Sequence, residues 1–132
     1  MKYTNQELFD KVVIHLVAQG RPALDDYGNC MYLSKEGLMC AAGCLAVEEL
    51  TNIDWLYVAG SWRNTANKYP ELLGLGNVNF IKDLQEIHDF VAKSSDWRVH
   101  WFSSMQNLAK RFSLDTTTLT ELATVDWYSQ EI

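Results

Sequence analysis

"NCMYLSKEGLMCAAGCLAVEEL", residues 29–50, holds all three cysteines of the chain and changes its period in the middle. In its first half "CMYL" and "LM" flank "SKEG", whose Gly37 suits the positive-φ position of a short loop, so a small β-hairpin is predicted. From Met39 onward "CAAGCLAVEEL" reads as a helix of small residues running to about Thr51, where Asn52 supplies a stop.

Cys30, Cys40 and Cys44 admit three readings. The step from Cys40 to Cys44 puts both sulfurs on one helical face. In the first and preferred reading these positions, with Ala41, Ala42, Gly43 and Ala46, are small because another element crosses closely, and free cysteine is among the most buried residue types. In the second, Cys40 is a nucleophile at a hairpin-to-helix junction, where peptide dipoles and free N–H groups lower a thiol pKa, with His88 as its base. Asp89 lies about 100° around the helix from His88, a poor position from which to orient it. In the third, Cys30, Cys40, Cys44 and His88 bind a metal, although the C-x9-C-x3-C spacing departs from the usual zinc knuckles. His88 also falls on an apolar stripe, where a buried histidine bonded to backbone is the commoner case. An odd cysteine count behind an opening "MKYTNQELFD" of no signal-peptide type predicts reduced thiols and a cytoplasmic chain.

Outward from this segment the pattern is helical. Thr4 and Glu7 form a capping box ahead of Leu8, Phe9, Val12, Val13, Leu16 and Val17, and Gly20 and Pro22 end that helix. Asn77 or Asn79 caps another carrying Phe80, Ile81, Leu84, Ile87, His88 and Val91, which ends near Lys93. Ser94 to Asp96 precede a further one, with Trp101, Phe102, Met105, Leu108, Ala109 and Phe112 on its stripe. Thr118 and Glu121 form a second capping box before a short last helix that frays into "VDWYSQEI". The expected fold is mainly α with a little β: one domain over residues 1–132, a bundle of about four to five helices with one small hairpin.

Asp54 to Gly76 is the least regular stretch, with one helical turn expected at Tyr69-Pro70. Its rings, Trp55, Tyr57, Trp62 and Tyr69, are candidates for an exposed binding surface, beside Arg63 and Lys68, which suit an anionic partner.

Net charge decides against other classes. Eleven Lys+Arg against seventeen Asp+Glu give −6, with no basic stripe to release counterions from nucleic acid or to hold an anionic membrane. No apolar run approaches the roughly 18 residues of a membrane span. "NLAKRFSLDTTTLTEL" has a helix-turn-helix pattern with Ser113 in place of the turn glycine. From Phe112 to Ile132 there are Asp115, Glu121, Asp126 and Glu131 and no lysine or arginine, so groove reading is not expected.

Cys30, Tyr32, Gly37, Cys40, Ala41 and Gly43, followed by Leu84, Gln85, His88 and Asp89, make the chain resemble small uncharacterised proteins of tailed bacteriophages and bacteria, which share a C-x-Y hairpin, a G-x-x-C-A-x-G helix and an L-Q-x-x-H-D segment. The likeness spans roughly residues 28 to 114 and carries no activity with it. It implies a stoichiometric inhibitor in the host cytoplasm that blocks a host defence protein or sequesters a small anionic signalling ligand. No cofactor is expected, and a second copy of the chain is a further partner class. A hydrolase using Cys40 and His88 and a DNA-binding regulator are the alternatives.

Overall fold

Thr4 opens the first helix as its capping box predicts. Its hydroxyl accepts from the Glu7 N–H at 3.1 Å, and Glu7 accepts from the Thr4 N–H at 3.0 Å. In the computed structural model, which describes residues 1–129, this helix is α1 (Asn5–Gln19), with Leu8, Phe9, Val12, Val13 and Leu16 fully buried. Glu131 of the acidic tail lies outside the described residues.

There follow α2 (Ala41–Ala46), α3 (Trp62–Lys68), α4 (Val78–Val91), α5 (Trp97–Arg111), α6 (Thr117–Leu122) and α7 (Val125–Tyr128), with short 3-10 helices at Trp55–Tyr57 and Pro70–Gly74. The chain is mainly helical, as its periodicity implies. α4 lies at the centre, packing on α1, α2, α3 and α5, while α6 covers α1 and α7 covers α5. Asn77 caps α4 by accepting from the Phe80 N–H at 3.1 Å. On the buried face of α4, Gln85 and His88 accompany Phe80, Ile81, Leu84 and Val91. Those two polar side chains in an apolar stripe demand partners, and their partners form the candidate site. No helix among the described residues is long and apolar enough to cross a membrane.

Three local expectations change. The hairpin does not form as paired strands. Antiparallel bridges occur only singly, Leu24 with Cys30 and Leu33 with Met39, although the turn itself closes through a 3.0 Å bond from the Gly37 N–H to the Ser34 carbonyl. The pairing goes no further because Cys40, the next residue, is already the N-cap of α2; the Gln19 side chain covers the outer edge of Met39, accepting from its N–H at 2.9 Å and donating to its carbonyl at 3.0 Å. The helix expected to reach Thr51 ends at Ala46, and the Leu50 carbonyl is taken by the Trp55 indole N–H at 2.7 Å. The irregular stretch instead contains α3, capped by Ser61 accepting from the Asn64 N–H at 3.2 Å.

A tight turn joins α5 to α6, but the Thr118–Glu121 capping box does not form. Asp115 starts α6 instead, accepting from the Thr117 N–H at 2.8 Å, while its own N–H is held by Gln6 of α1. At the end of α5, Leu114 N–H bonds the Ala109 carbonyl and Ser113 N–H the Lys110 carbonyl, the Schellman pattern, with Ser113 at φ +55°. Ser113 is the one non-glycine residue at positive φ among the described residues. Relief of that strain outweighs the looser unfolded chain, so Ser113→Gly is expected to stabilise the fold by about 0.5–1 kcal/mol. A rise in the urea midpoint at constant slope is the check, and a fall would mean that the hydroxyl contributes more than the backbone strain costs.

Candidate functional site

Cys40 is the N-cap of α2, its sulfur accepting from the Gly43 N–H at 3.2 Å. The junction expected from the sequence is therefore real, yet the thiol is not activated there. Cys40 is completely buried, and that burial pushes its thiol well above the ordinary range, with the Gly43 N–H offsetting only part of the effect. Cys44, half-buried, donates to the Ala41 carbonyl at 3.0 Å, and burial pushes its thiol to about 12. The small residues around them answer to a close crossing, because a Cβ on Gly43 would overlap the Tyr32 carbonyl oxygen and stand 3.0 Å from its carbon.

The polar cluster lies between α4 and the loop before Tyr32. His88 is fully buried, and its Nε2 accepts from the Ala23 N–H at 3.2 Å. Nε2 therefore carries no proton, so the ring proton is on Nδ1, which donates to Asp89 at 3.0 Å. Adjacent helical residues were expected to diverge. They meet here because Gln85, one turn earlier, donates to the same Asp89 oxygen at 2.7 Å and draws that carboxylate back over the helix. The Gln85 carbonyl oxygen accepts from the Ala42 N–H at 2.8 Å, so one face of α4 ties down both the start of α2 and the backbone at Ala23.

Cys30, not Cys40, completes this cluster: its sulfur, a His88 nitrogen and an Asp89 oxygen all lie within 4.8 Å of one another. Burial pushes the Cys30 thiol to about 12, and the neighbouring Asp89 charge adds to the effect. Three donors of metal-ligand type are thus together, but the alternative metal set considered from the sequence, with Cys40 and Cys44, is not assembled among the described residues. A metal on Nδ1 would displace the proton held by Asp89, and the usual protonated Nε2 would then face the Ala23 N–H, donor against donor. The arrangement fits a hydrogen-bonded latch better than a metal centre or a nucleophile with its base.

Thiols raised this far stay protonated at pH 8. Iodoacetamide is therefore expected to leave the folded chain unmodified over times that alkylate all three cysteines in denaturant, as read by intact mass. Rapid single-site modification of the folded protein would restore the nucleophile.

The aromatic segment divides. Trp55 and Trp62 are 3% and 1% exposed and flank the Tyr32 ring at 5.8 and 6.5 Å, so both belong to the core and neither reaches a partner. Their hydrophobic area outweighs the irregular backbone around them. Arg63 bonds Asn79 of α4. Tyr57 is 85% exposed and borders a cleft of ≈260 Å³ with Lys68 and Tyr69. Tyr57 also borders a second cleft of ≈240 Å³, with Leu24, Met31 and Leu56 among its lining and Tyr27, 90% exposed, beside them. Tyr27 was legible in "DDYGN" (residues 25–29) as a ring on a tight turn: Asp25 accepts from the Tyr27 and Asn29 N–H groups, each at 2.8 Å, and Gly28 has φ +82°.

A roomier cleft, ≈450 Å³, is bordered by Arg21, Trp97 and Arg98, but the Arg98 guanidinium is already committed to the Gly20 and Trp127 carbonyls at 3.0 Å each. Compared with protein-family models, with curated proteins and with solved structures, the chain matches none.

Proposed function

We propose that this protein acts by binding, through the face centred on Tyr57, and not by covalent catalysis. The observation that carries the reading is the division of the aromatic segment. Trp55 and Trp62 stiffen it from beneath, and Tyr57 stands out at the lip shared by two clefts. A rigid base under a protruding ring lowers the ordering cost of association, which is what an interface anchor needs. The protonated thiols and the engaged His88 nitrogens weigh against the hydrolase alternative.

The resemblance to tailed-phage accessory proteins supports a host defence factor as the target, held stoichiometrically. A second reading, sequestration of a small anionic signalling ligand, is favoured by Lys68 in the ≈260 Å³ cleft. Tagged protein is to be incubated with host lysate and washed, and mass spectrometry is then to be run on the proteins retained and on the small molecules released by heating. Tyr57→Ala is expected to reduce retention about tenfold or more while changing stability by less than about 0.5 kcal/mol. Retention indifferent to Tyr57 would remove this face from the proposal, and release of a phosphate-bearing compound in a Lys68-dependent manner would select the second reading.

A further inference from the structure

Resting on the protein-partner reading above, we infer that the cleft between Tyr27 and Tyr57 takes a basic segment of the partner, an arginine or lysine side chain seated between the rings. Two tyrosines that are 90% and 85% exposed border this one cleft, and neither is needed to fill the core. Ring faces attract cations, and the same cleft is edged by Asp25, Asp26 and Glu36. Asp25 stays ionised because the Asn29 backbone N–H, foremost among several bonds, holds its carboxyl below the usual range. Leu24, Met31 and Leu56 add apolar lining against which the methylenes of a long cationic side chain can pack.

Two cations already stand near these carboxylates, and neither closes the site. Lys35, which itself lines the cleft, meets Asp26 only at 3.9 Å, with both side chains about four-fifths exposed (83% and 78%). Arg21 meets Glu36 at 3.4 Å, again with both half-exposed (50% and 57%). Pairs so open to water are readily exchanged for a partner's charge. The formal charge of −6 draws a basic segment in from a distance, and the tyrosines then select where it docks.

Fluorescence anisotropy of a labelled peptide of alternating arginine and glycine, at physiological ionic strength, is the test. An alternating glutamate and glycine peptide serves as the opposite-charge probe. The arginine peptide is expected to bind, and Tyr57→Ala or Tyr27→Ala, neither of which alters the charge, is expected to weaken it about fivefold each. Asp26→Asn with Glu36→Gln is expected to weaken it further and to flatten its salt dependence. Both tyrosines are exposed, so unchanged melting temperatures separate lost binding from lost fold. No binding of the arginine peptide overturns the inference, as does binding that both tyrosine variants retain, since that is general attraction to an acidic chain. A glutamate peptide bound through Tyr57 would also overturn it while leaving the binding face intact. Tyr57-independent retention from lysate would instead remove that face.

Discussion

Gly43→Ala is expected to destabilise the protein by about 3 kcal/mol or more, a large fraction of the stability of an ordinary domain. The sign is the informative part. Gly43 lies inside α2, where helix propensity alone predicts a gain of about 1 kcal/mol from alanine. Against this, the new methyl group would meet the Tyr32 carbonyl, which is backbone and cannot rotate away, and would stand 3.3 Å from the Cys40 sulfur that caps the helix. Relief would require moving the Tyr32 segment off α2, which would also disturb the Tyr32 hydroxyl bond to the Gly60 carbonyl at 2.9 Å. Urea unfolding of purified protein measures the effect. A stabilised Gly43→Ala would show that the crossing is looser than described and that the small residues of α2 have another purpose.

Trp62→Ala is expected to cost about 3–5 kcal/mol, the range for truncating a buried indole. Trp62 is 1% exposed and packs beside Tyr32. Its indole nitrogen has no hydrogen-bond partner among the described residues, in common with those of Trp97 and Trp101. Trp62→Phe therefore sacrifices no bond, frees the fold of an unpaired buried donor and leaves only a modest gap, so a loss of about 1–2 kcal/mol is expected. Thermal and urea unfolding of the two variants beside Tyr57→Ala separates core from surface within the one aromatic segment. A Trp62→Ala protein of unchanged stability that had lost a partner would return this ring to the interface.

The helices were legible where a single chemical signal decides each one. The Thr4–Glu7 box, the Asn77 cap and the spacing of Phe80, Ile81, Leu84 and Val91 act over one or two turns, and α1 and α4 follow them. A helix start as small as "CAAGC" also favoured a close crossing by another element, without naming that element. Local reading failed where distant side chains claim backbone groups. Gln19 claims the outer edge of Met39, where a further strand would pair, and Gln6 holds Asp115 while that side chain displaces the expected cap of α6. Ser61 capped a helix that the glycines and rings of its segment concealed.

The candidate sites divide along the same line. That Cys40 stands at a helix start, that His88 lies on a buried stripe and that the chain is acidic all follow from residue order, because cap position, face and charge are properties of sequence alone. Tertiary structure decided that Cys30 and not Cys40 joins His88 and Asp89, that Ala23 occupies the histidine's second nitrogen, and that Tyr27 and Tyr57 border one cleft while Trp55 and Trp62 go inside. Hydrogen-bond partnership and burial depend on which distant segments pack together, and desolvation, which here outweighs a helix dipole at Cys40, exists only once that packing has formed.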